Sequence, residues 1–331
     1  MPANIHKWES PLGCLMSSFI VEKRALGYKY NADEFTLHRL DRYLASIRLS
    51  ELKLEKAPLL AFLEQYPNEC PSGRSRRMTV ARQFSEYLVR TGYEAYIVPH
   101  KLYPPYDSSF KARIFTKDEI NRFLDAADRF PPDHMYPIKH HEISLLFHLL
   151  TNCGLRISEA LNLQIKDVDL MGGILHIIDG KNHVDRLVPM SDFMTLRCRK
   201  YSSVCRSDAD GDDYFFPGLK RKRITASTAY AYFRKVLWLA GISYGGRHHG
   251  GPRPHDLRHT FAVHCLNSWV LAGVDLSTSL PILAKYLGHG SISGTQKYLQ
   301  FTAEMYPETT GRLEKRFGYA VPIVGDNNEI H

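Results

Sequence analysis

The sequence predicts a mainly α-helical protein with a small β-hairpin, organised as two domains. Three observations point that way. Apolar residues recur at helical spacing through most of the chain, and two β-rich runs flank a short loop between Ile174 and Met190. A stretch rich in proline and serine, without periodicity, separates a helical first third from a mixed remainder. The resulting boundaries are 1–103 for the first domain, 104–113 for the linker and 114–331 for the second domain. A chain of 331 residues is long enough for two domains.

The first domain reads as four amphipathic helices. Ser10 and Pro11 look like an N-cap and first-turn proline, and Leu12, Leu15, Met16, Phe19 and Ile20 keep helical spacing until Gly27 stops the run. A second helix covers about Ala32 to Ala45, and a third about Pro58 to Gln65. In the fourth, from Arg74 to Arg90, Met78, Val80, Ala81, Phe84, Tyr87 and Leu88 alternate with Arg74, Arg76, Arg77 and Arg82. One face is apolar and another strongly basic, so the four arginines are candidates for contact with DNA phosphates; a solvated surface helix is the plainer reading. Pro99, Pro104, Pro105, Ser108 and Ser109 mark the linker.

The second domain starts at Thr116, whose T-x-x-E pattern with Glu119 is a capping box for a helix ending before Pro131. His140 to Thr151 is a strongly apolar, buried helix. Ile174 to Ile178 and Arg186 to Met190 form a β-hairpin around Gly180-Lys181-Asn182-His183. Further helices are expected over about Thr225 to Ala240, Asp256 to Ser268, Leu280 to Leu287 and Thr295 to Phe301. Tyr201 to Lys222 reads as a loop joining a Ser/Asp-rich stretch to a basic run.

Composition narrows the function. With 44% hydrophobic and 24% charged residues the chain can bury cores, and no stretch reaches the ~18 apolar residues of a membrane span. The N-terminus shows no secretory signal pattern, so a cytoplasmic protein is expected. Six cysteines without a C-x-x-C pair read as reduced thiols. The net charge of +8 suits a polyanionic partner.

The chemistry lies in dispersed residues whose order matters more than any one of them. Arg156 and Glu159 stand in Gly154-Leu155-Arg156-Ile157-Ser158-Glu159-Ala160-Leu161, a turn leading into a helix. Lys181 sits in the hairpin loop. His255 and Arg258 are three apart on one helix face, Leu287-Gly288-His289 ends another helix, and Tyr298 follows nine residues after His289. In this order the residues resemble the tyrosine recombinase, or phage integrase, family, whose pattern is an arginine in G-L-R-x-x-E-x-L, a hairpin lysine, H-x-x-R, L-G-H and a tyrosine nine residues on. The likeness covers roughly residues 114 to 316.

The resemblance implies an N-terminal helical SAM-like core-binding domain and a C-terminal mixed α/β integrase-type catalytic domain. It further implies a site-specific DNA recombinase working through a 3′-phosphotyrosyl intermediate, serving a mobile element by integration, excision or transposition. Its partners would be double-stranded DNA and three further copies of itself in a homo-tetramer at the nucleoid, with other recombinases or accessory proteins as possible additions and no membrane. An apolar tail, Phe317 to Val324, could dock on a neighbouring subunit.

Strand exchange makes physical sense of these residue types. Attack on phosphorus builds negative charge on the non-bridging oxygens, and the planar forks of Arg156 and Arg258 match it better than lysine would. Tyr298 is the expected nucleophile and His255 the expected general base, with His289 expected to hold the phosphate and Glu159 to orient the basic site; the resemblance implies that Lys181 protonates the leaving 5′ oxygen. A phosphotyrosyl ester conserves bond energy, so no cofactor is expected. His255 and His259 have metal-ligand spacing, but Asp256 stands where H-E-x-x-H needs glutamate and Arg258 would repel a cation; no metal is expected, and His259 reads as a structural hydrogen-bonding residue. A type IB topoisomerase and an inactive DNA-binding accessory factor are the alternatives.

Overall fold

The computed structural model describes residues 7–67, 69–100, 102, 112–178, 185–219, 223–245, 251–289 and 293–306. The chain divides into two units, Met1–Ser109 and Phe110–His331. Residues 104–111 of the expected linker, Lys181, the basic run 220–222, His248, His249 and the tail 317–324 lie outside the described residues.

The first unit is built from α1 (Gly13–Ala25), α2 (Asn31–Ser46), α3 (Lys56–Phe62) and α4 (Pro71–Arg90). Its core takes Met16, Phe19 and Ile20 from α1, Leu37, Leu40 and Leu44 from α2, Leu59 and Phe62 from α3, and Phe84 and Leu88 from α4. These are the positions that helical periodicity places on one face of each helix. Ser10 does not cap α1, which begins only at Gly13. Its hydroxyl and its N–H instead donate to the buried Asp41 carboxylate at 2.6 and 2.9 Å, and Glu9 N–H adds a third bond at 2.7 Å.

The basic helix needs correction at two of its four candidate residues. Arg77 is 2% exposed: its Nε donates to Glu69 at 3.0 Å, Nη2 to Glu64 O at 2.9 Å and Nη1 to Phe62 O, and the guanidinium lies 4.1 Å from the Tyr66 ring centroid. Arg82 is equally committed, donating to the carbonyls of Val98 at 2.7 Å and Pro99 at 3.2 Å. Neither guanidinium is presented to a phosphate; both satisfy carbonyls that would otherwise be buried without partners. Arg74 is half-buried and donates to Leu63 O at 3.2 Å. Arg76 is exposed and pairs with Asp33 at 2.6 Å.

The second unit packs α5 (Lys117–Asp128), α6 (Lys139–Asn152), α7 (Ile157–Asn162), α8 (Asp192–Cys205), α9 (Ala226–Leu239), α10 (Pro254–Leu271), α11 (Leu276–Leu287) and α12 (Ser293–Met305) with an antiparallel sheet. The sheet order is β1 (Val168–Asp169), β2 (Ile174–Ile177), β3 (Arg186–Pro189), and Leu175 pairs with Val188. Thr116 and Glu119 form the expected capping box of α5, with bonds of 3.1 and 2.9 Å. One apolar cluster centres on Phe115, Phe123, Phe147 and Phe233; a second, around α10, α11 and α12, holds Leu266, Leu283, Leu287 and Leu299.

Two departures from the sequence reading occur here. Helix α8 was not expected; it starts at Ser191, whose hydroxyl takes the Met194 N–H, and buries Met194, Thr195, Cys198 and Tyr201. Consequently the expected loop from Tyr201 begins as helix, and its later part is core rather than surface. Phe215 and Phe216 are fully buried, Tyr201 donates to Phe215 O at 2.9 Å, and Phe215 N–H bonds Leu163 O at 2.8 Å.

Candidate active site

The site is assembled where the start of α7, the returning strand β3, the first turns of α10 and the end of α11 meet. Gly154 opens it with φ of +58°. A Cβ there would sit 2.5 Å from the Phe261 ring, so this turn requires glycine on both conformational and steric grounds. The chain then enters α7 with Arg156 just before the first helical residue, and Glu159 reaches back to accept the Arg156 N–H at 2.8 Å. With Arg156 Nη1 also donating to the same carboxylate at 2.6 Å, the two side chains hold each other in place.

The C-terminus of α11 supplies the other half of the frame. Helix ends leave carbonyls without intrahelical donors and carry partial negative charge. Here three consecutive carbonyls receive three different arginines: Tyr286 O accepts from Arg186 Nε at 2.8 Å, Leu287 O from Arg258 Nη2, and Gly288 O from Arg156 Nη2 at 2.8 Å. Arg258 Nη1 also donates to Gly154 O at 2.8 Å. Gly288 closes the helix at φ +67°, and a Cβ on it would come within 2.9 Å of Arg186 Nη1.

Glu159 is the shared anion. It accepts from Arg156 Nη1 at 2.6 Å and from both Nη atoms of Arg186 at 2.9 and 2.8 Å, with Arg258 Nη1 at 3.9 Å. Although burial alone would raise its pKa, the Arg186 and Arg156 donors prevail and hold it at about 2. Three guanidiniums against one carboxylate leave the cluster two charges positive, a fitting environment for an anion.

Tyr298, 3% exposed on α12, has the Arg258 guanidinium of this cluster beside its hydroxyl. Its partner is His259 Nδ1 at 3.1 Å. Burial raises the phenol pKa, while the guanidiniums of Arg258 and Arg156 pull it down. His255 lies one turn before His259 on α10, its ring 4.6 Å away and packed edge to face. His289 stacks on Tyr298 with centroids 5.8 Å apart and is oriented by Thr295 Oγ1 at 2.8 Å from Nδ1. Desolvation, followed by neighbouring positive charge, depresses all three imidazoles: His255 and His289 to about 4, His259 to about 3. All are neutral at pH 7 and able to accept or donate hydrogen bonds.

The structure therefore brings together Arg156, Glu159, His255, Arg258, His289 and Tyr298, residues spread over 143 positions of sequence. Lys181 lies outside the described residues. Two participants were missed from sequence. Arg186 had a signal: in β3 it shares the inward face with buried Val188, whereas Leu187 faces out. His259 was assigned a structural hydrogen bond, and the bond it makes is with the Tyr298 hydroxyl, so His259 rather than His255 is the imidazole beside the tyrosine. Among the described residues no group of three or more His, Cys, Asp or Glu is placed to hold a metal ion.

The family model described as the phage integrase family matches residues 113–305. The chain belongs to this family. Among its relatives, the integrase/recombinase y4rB of Sinorhizobium fredii is 30% identical over 91% of this chain and 96% of its own length. Tyrosine recombinase XerD of Proteus mirabilis is 27% identical over 87% and 88%. The fold is also that of solved structures: a Tn1549 transposon integrase in complex with transposon right end DNA superposes with a TM-score of 0.62 at 15% identity, covering 92% of this chain and 99% of that one. XerH site-specific recombinase bound to a palindromic difH substrate gives 0.61 at 19% identity, covering 81% and 75%. The phage integrase chain described here is thus an enzyme, a tyrosine-type site-specific DNA recombinase.

Proposed function

We propose that this recombinase cuts and rejoins duplex DNA with Tyr298 as nucleophile, Arg156, Arg258 and His289 as ligands of the scissile phosphate, and His259 as acceptor of the phenol proton. The observation that carries this reading is the Tyr298 hydroxyl, hydrogen-bonded to a neutral imidazole at 3.1 Å beside an arginine cluster with two positive charges in excess. In the step proposed, the Tyr298 oxygen bonds phosphorus as the phosphorus–oxygen bond to the 5′ carbon's oxygen breaks. His259 takes the phenol proton, and the departing 5′ oxygen takes a proton from Lys181. The product is a 3′-phosphotyrosyl ester and a free 5′-hydroxyl, and attack by another 5′-hydroxyl reverses the step onto a new strand.

Electrostatics favours this division of labour. Before DNA arrives burial, and after it the surplus cations, depress the histidines; a phosphate among Arg156 and Arg258 cancels the second contribution and moves His259 upward, toward the range where it accepts a proton. The rest of the reading is service to a mobile element and assembly of a homo-tetramer on duplex DNA in the cytoplasm, at the nucleoid. Duplex DNA as partner is supported by the DNA in the superposed structures, and service to a mobile element by the integrase and transposon integrase names.

The test uses suicide duplexes, nicked near candidate sites flanking the encoding gene, and denaturing gels. Wild type should form a covalent adduct without metal or ATP, and Tyr298→Phe should bind the DNA with unchanged affinity yet form none. An adduct persisting in the variant would assign the nucleophile elsewhere.

A further inference from the structure

We propose that Arg186 is a positioning residue for cleavage, holding Arg156 in the geometry that grips the scissile phosphate; this rests on the reading of Arg156 as a phosphate ligand. Arg186 itself is a poor candidate for touching DNA. All three of its guanidinium nitrogens are engaged, Nε with Tyr286 O at 2.8 Å and both Nη atoms with the Glu159 carboxylate.

What it supports are the two anchors of the Arg156 guanidinium. One anchor is Glu159 Oε1, which takes Arg156 Nη1 at 2.6 Å; Arg186 grips both oxygens of that same carboxylate. The other is Gly288 O, which takes Arg156 Nη2 at 2.8 Å; Arg186 lies directly against the Gly288 Cα, close enough that a Cβ there would clash with its Nη1 and Cζ. One residue thus links carboxylate, helix end and hairpin strand. It also solves an electrostatic problem. A carboxylate next to a phosphate-binding arginine would repel the phosphate, but with both its oxygens engaged by Arg186, Glu159 can orient Arg156 while its charge is offset. Lysine at this position would keep the charge and lose the fork, because one ammonium cannot span two carboxylate oxygens and the Tyr286 carbonyl together.

The experiment is a double-mutant cycle on single-turnover adduct formation with the suicide duplex, together with nitrogen NMR of the arginine side chains in the DNA-free protein. Arg186→Lys should bind DNA within about 2-fold of wild type, melt as a folded protein and form adduct about 100-fold more slowly, the loss expected when a reacting group is misplaced by about 1 Å. In an Arg156→Ala background the same change should cost less than about 3-fold, because the group it positions is gone. Arg186→Gln, which retains two donors, serves the same cycle should the lysine variant not fold. In the NMR arm, the Nη signals of Arg156 should be separate in wild type and averaged by rotation in Arg186→Lys. Equal losses in both backgrounds, or unchanged Arg156 signals, would overturn the proposal. Absence of any Tyr298-dependent adduct in wild type would instead sink the catalytic reading, and the NMR arm would still decide whether Arg186 positions Arg156.

Discussion

At the scale of single residues, the position of one imidazole decides the proton path. His255 and His259 stand one helical turn apart and share an apolar-to-cationic environment, yet only His259 bonds the Tyr298 hydroxyl. His259→Gln should therefore slow adduct formation by about 100-fold or more, in the range general-base catalysis supplies. His255→Gln should cost at least 10-fold less on that step. Single-turnover gels with both variants check this; a larger loss from His255→Gln would return the base to the residue favoured by motif. The spacing of the H-x-x-R-H segment could not separate the two histidines, since both fall on one face of α10 and the choice depends on where α12 places its tyrosine.

At the scale of elements, α4 shows how a strongly basic helix divides its charges between inside and outside. Arg77 serves the first unit's own carbonyls and Glu69, whereas Arg76 stands exposed against Asp33. Arg77→Ala should destabilise by about 2 kcal/mol or more, because it removes a fully buried guanidinium and leaves the Phe62 and Glu64 carbonyls and the half-buried Glu69 carboxylate without their donors. Arg76→Ala should change stability by under about 1 kcal/mol. If α4 lies on DNA, Arg76→Ala should also lower the slope of log affinity against log salt by about one. Urea titration and binding at several salt concentrations separate the two effects; an Arg77→Ala protein as stable as wild type would contradict the buried assignment. Helical periodicity identified which positions of α4 are apolar, but a long arginine on the apolar side is indistinguishable in sequence from one on the polar side. The α8 helix escaped notice for a related reason. Its buried Met194, Cys198 and Tyr201 are interspersed with Arg197, Arg199 and Lys200, and the Ser/Asp-rich stretch beyond draws the reading toward loop.

At the scale of the whole molecule, stability should depend on pH through a group far from the chemistry. Glu142 of α6 is completely buried, and burial raises its pKa to about 7 while Tyr136 and the Gly218 N–H, at 3.1 Å, oppose the shift. A folded-state value above the unfolded one of about 4.5 means that the folded protein binds the extra proton. The stability so contributed is fully present below about 4.5 and lost as pH rises through about 7. At pH 8 the cost of the buried charge is of the order of 3 kcal/mol. Wild type should accordingly lose urea resistance between about pH 4.5 and pH 7 relative to Glu142→Gln, which keeps an acceptor for Gly218 and has no such proton to lose. Parallel midpoints for the two proteins across that range would show the carboxyl to be ionised throughout.

Taken alone, the sequence was enough to determine the helical character of both units, the hairpin, the capping box of α5 and the residue set Arg156, Glu159, His255, Arg258, His289 and Tyr298. Those features are written in local spacing: apolar periodicity sets which helix face is buried, turn residues mark where elements stop, and a motif conserves order along the chain. Only the tertiary structure decided that His259 meets Tyr298, that Arg186 closes on Glu159 and that Arg77 and Arg82 turn inward. Each of these joins residues 8 to 39 positions apart, through contacts whose partners are fixed by how helices and strands pack. The three carbonyls at the end of α11 make the reason plain: as main-chain atoms they are the same in any sequence, and they become ligands for three arginines only because the fold brings Arg156, Arg186 and Arg258 to one helix end.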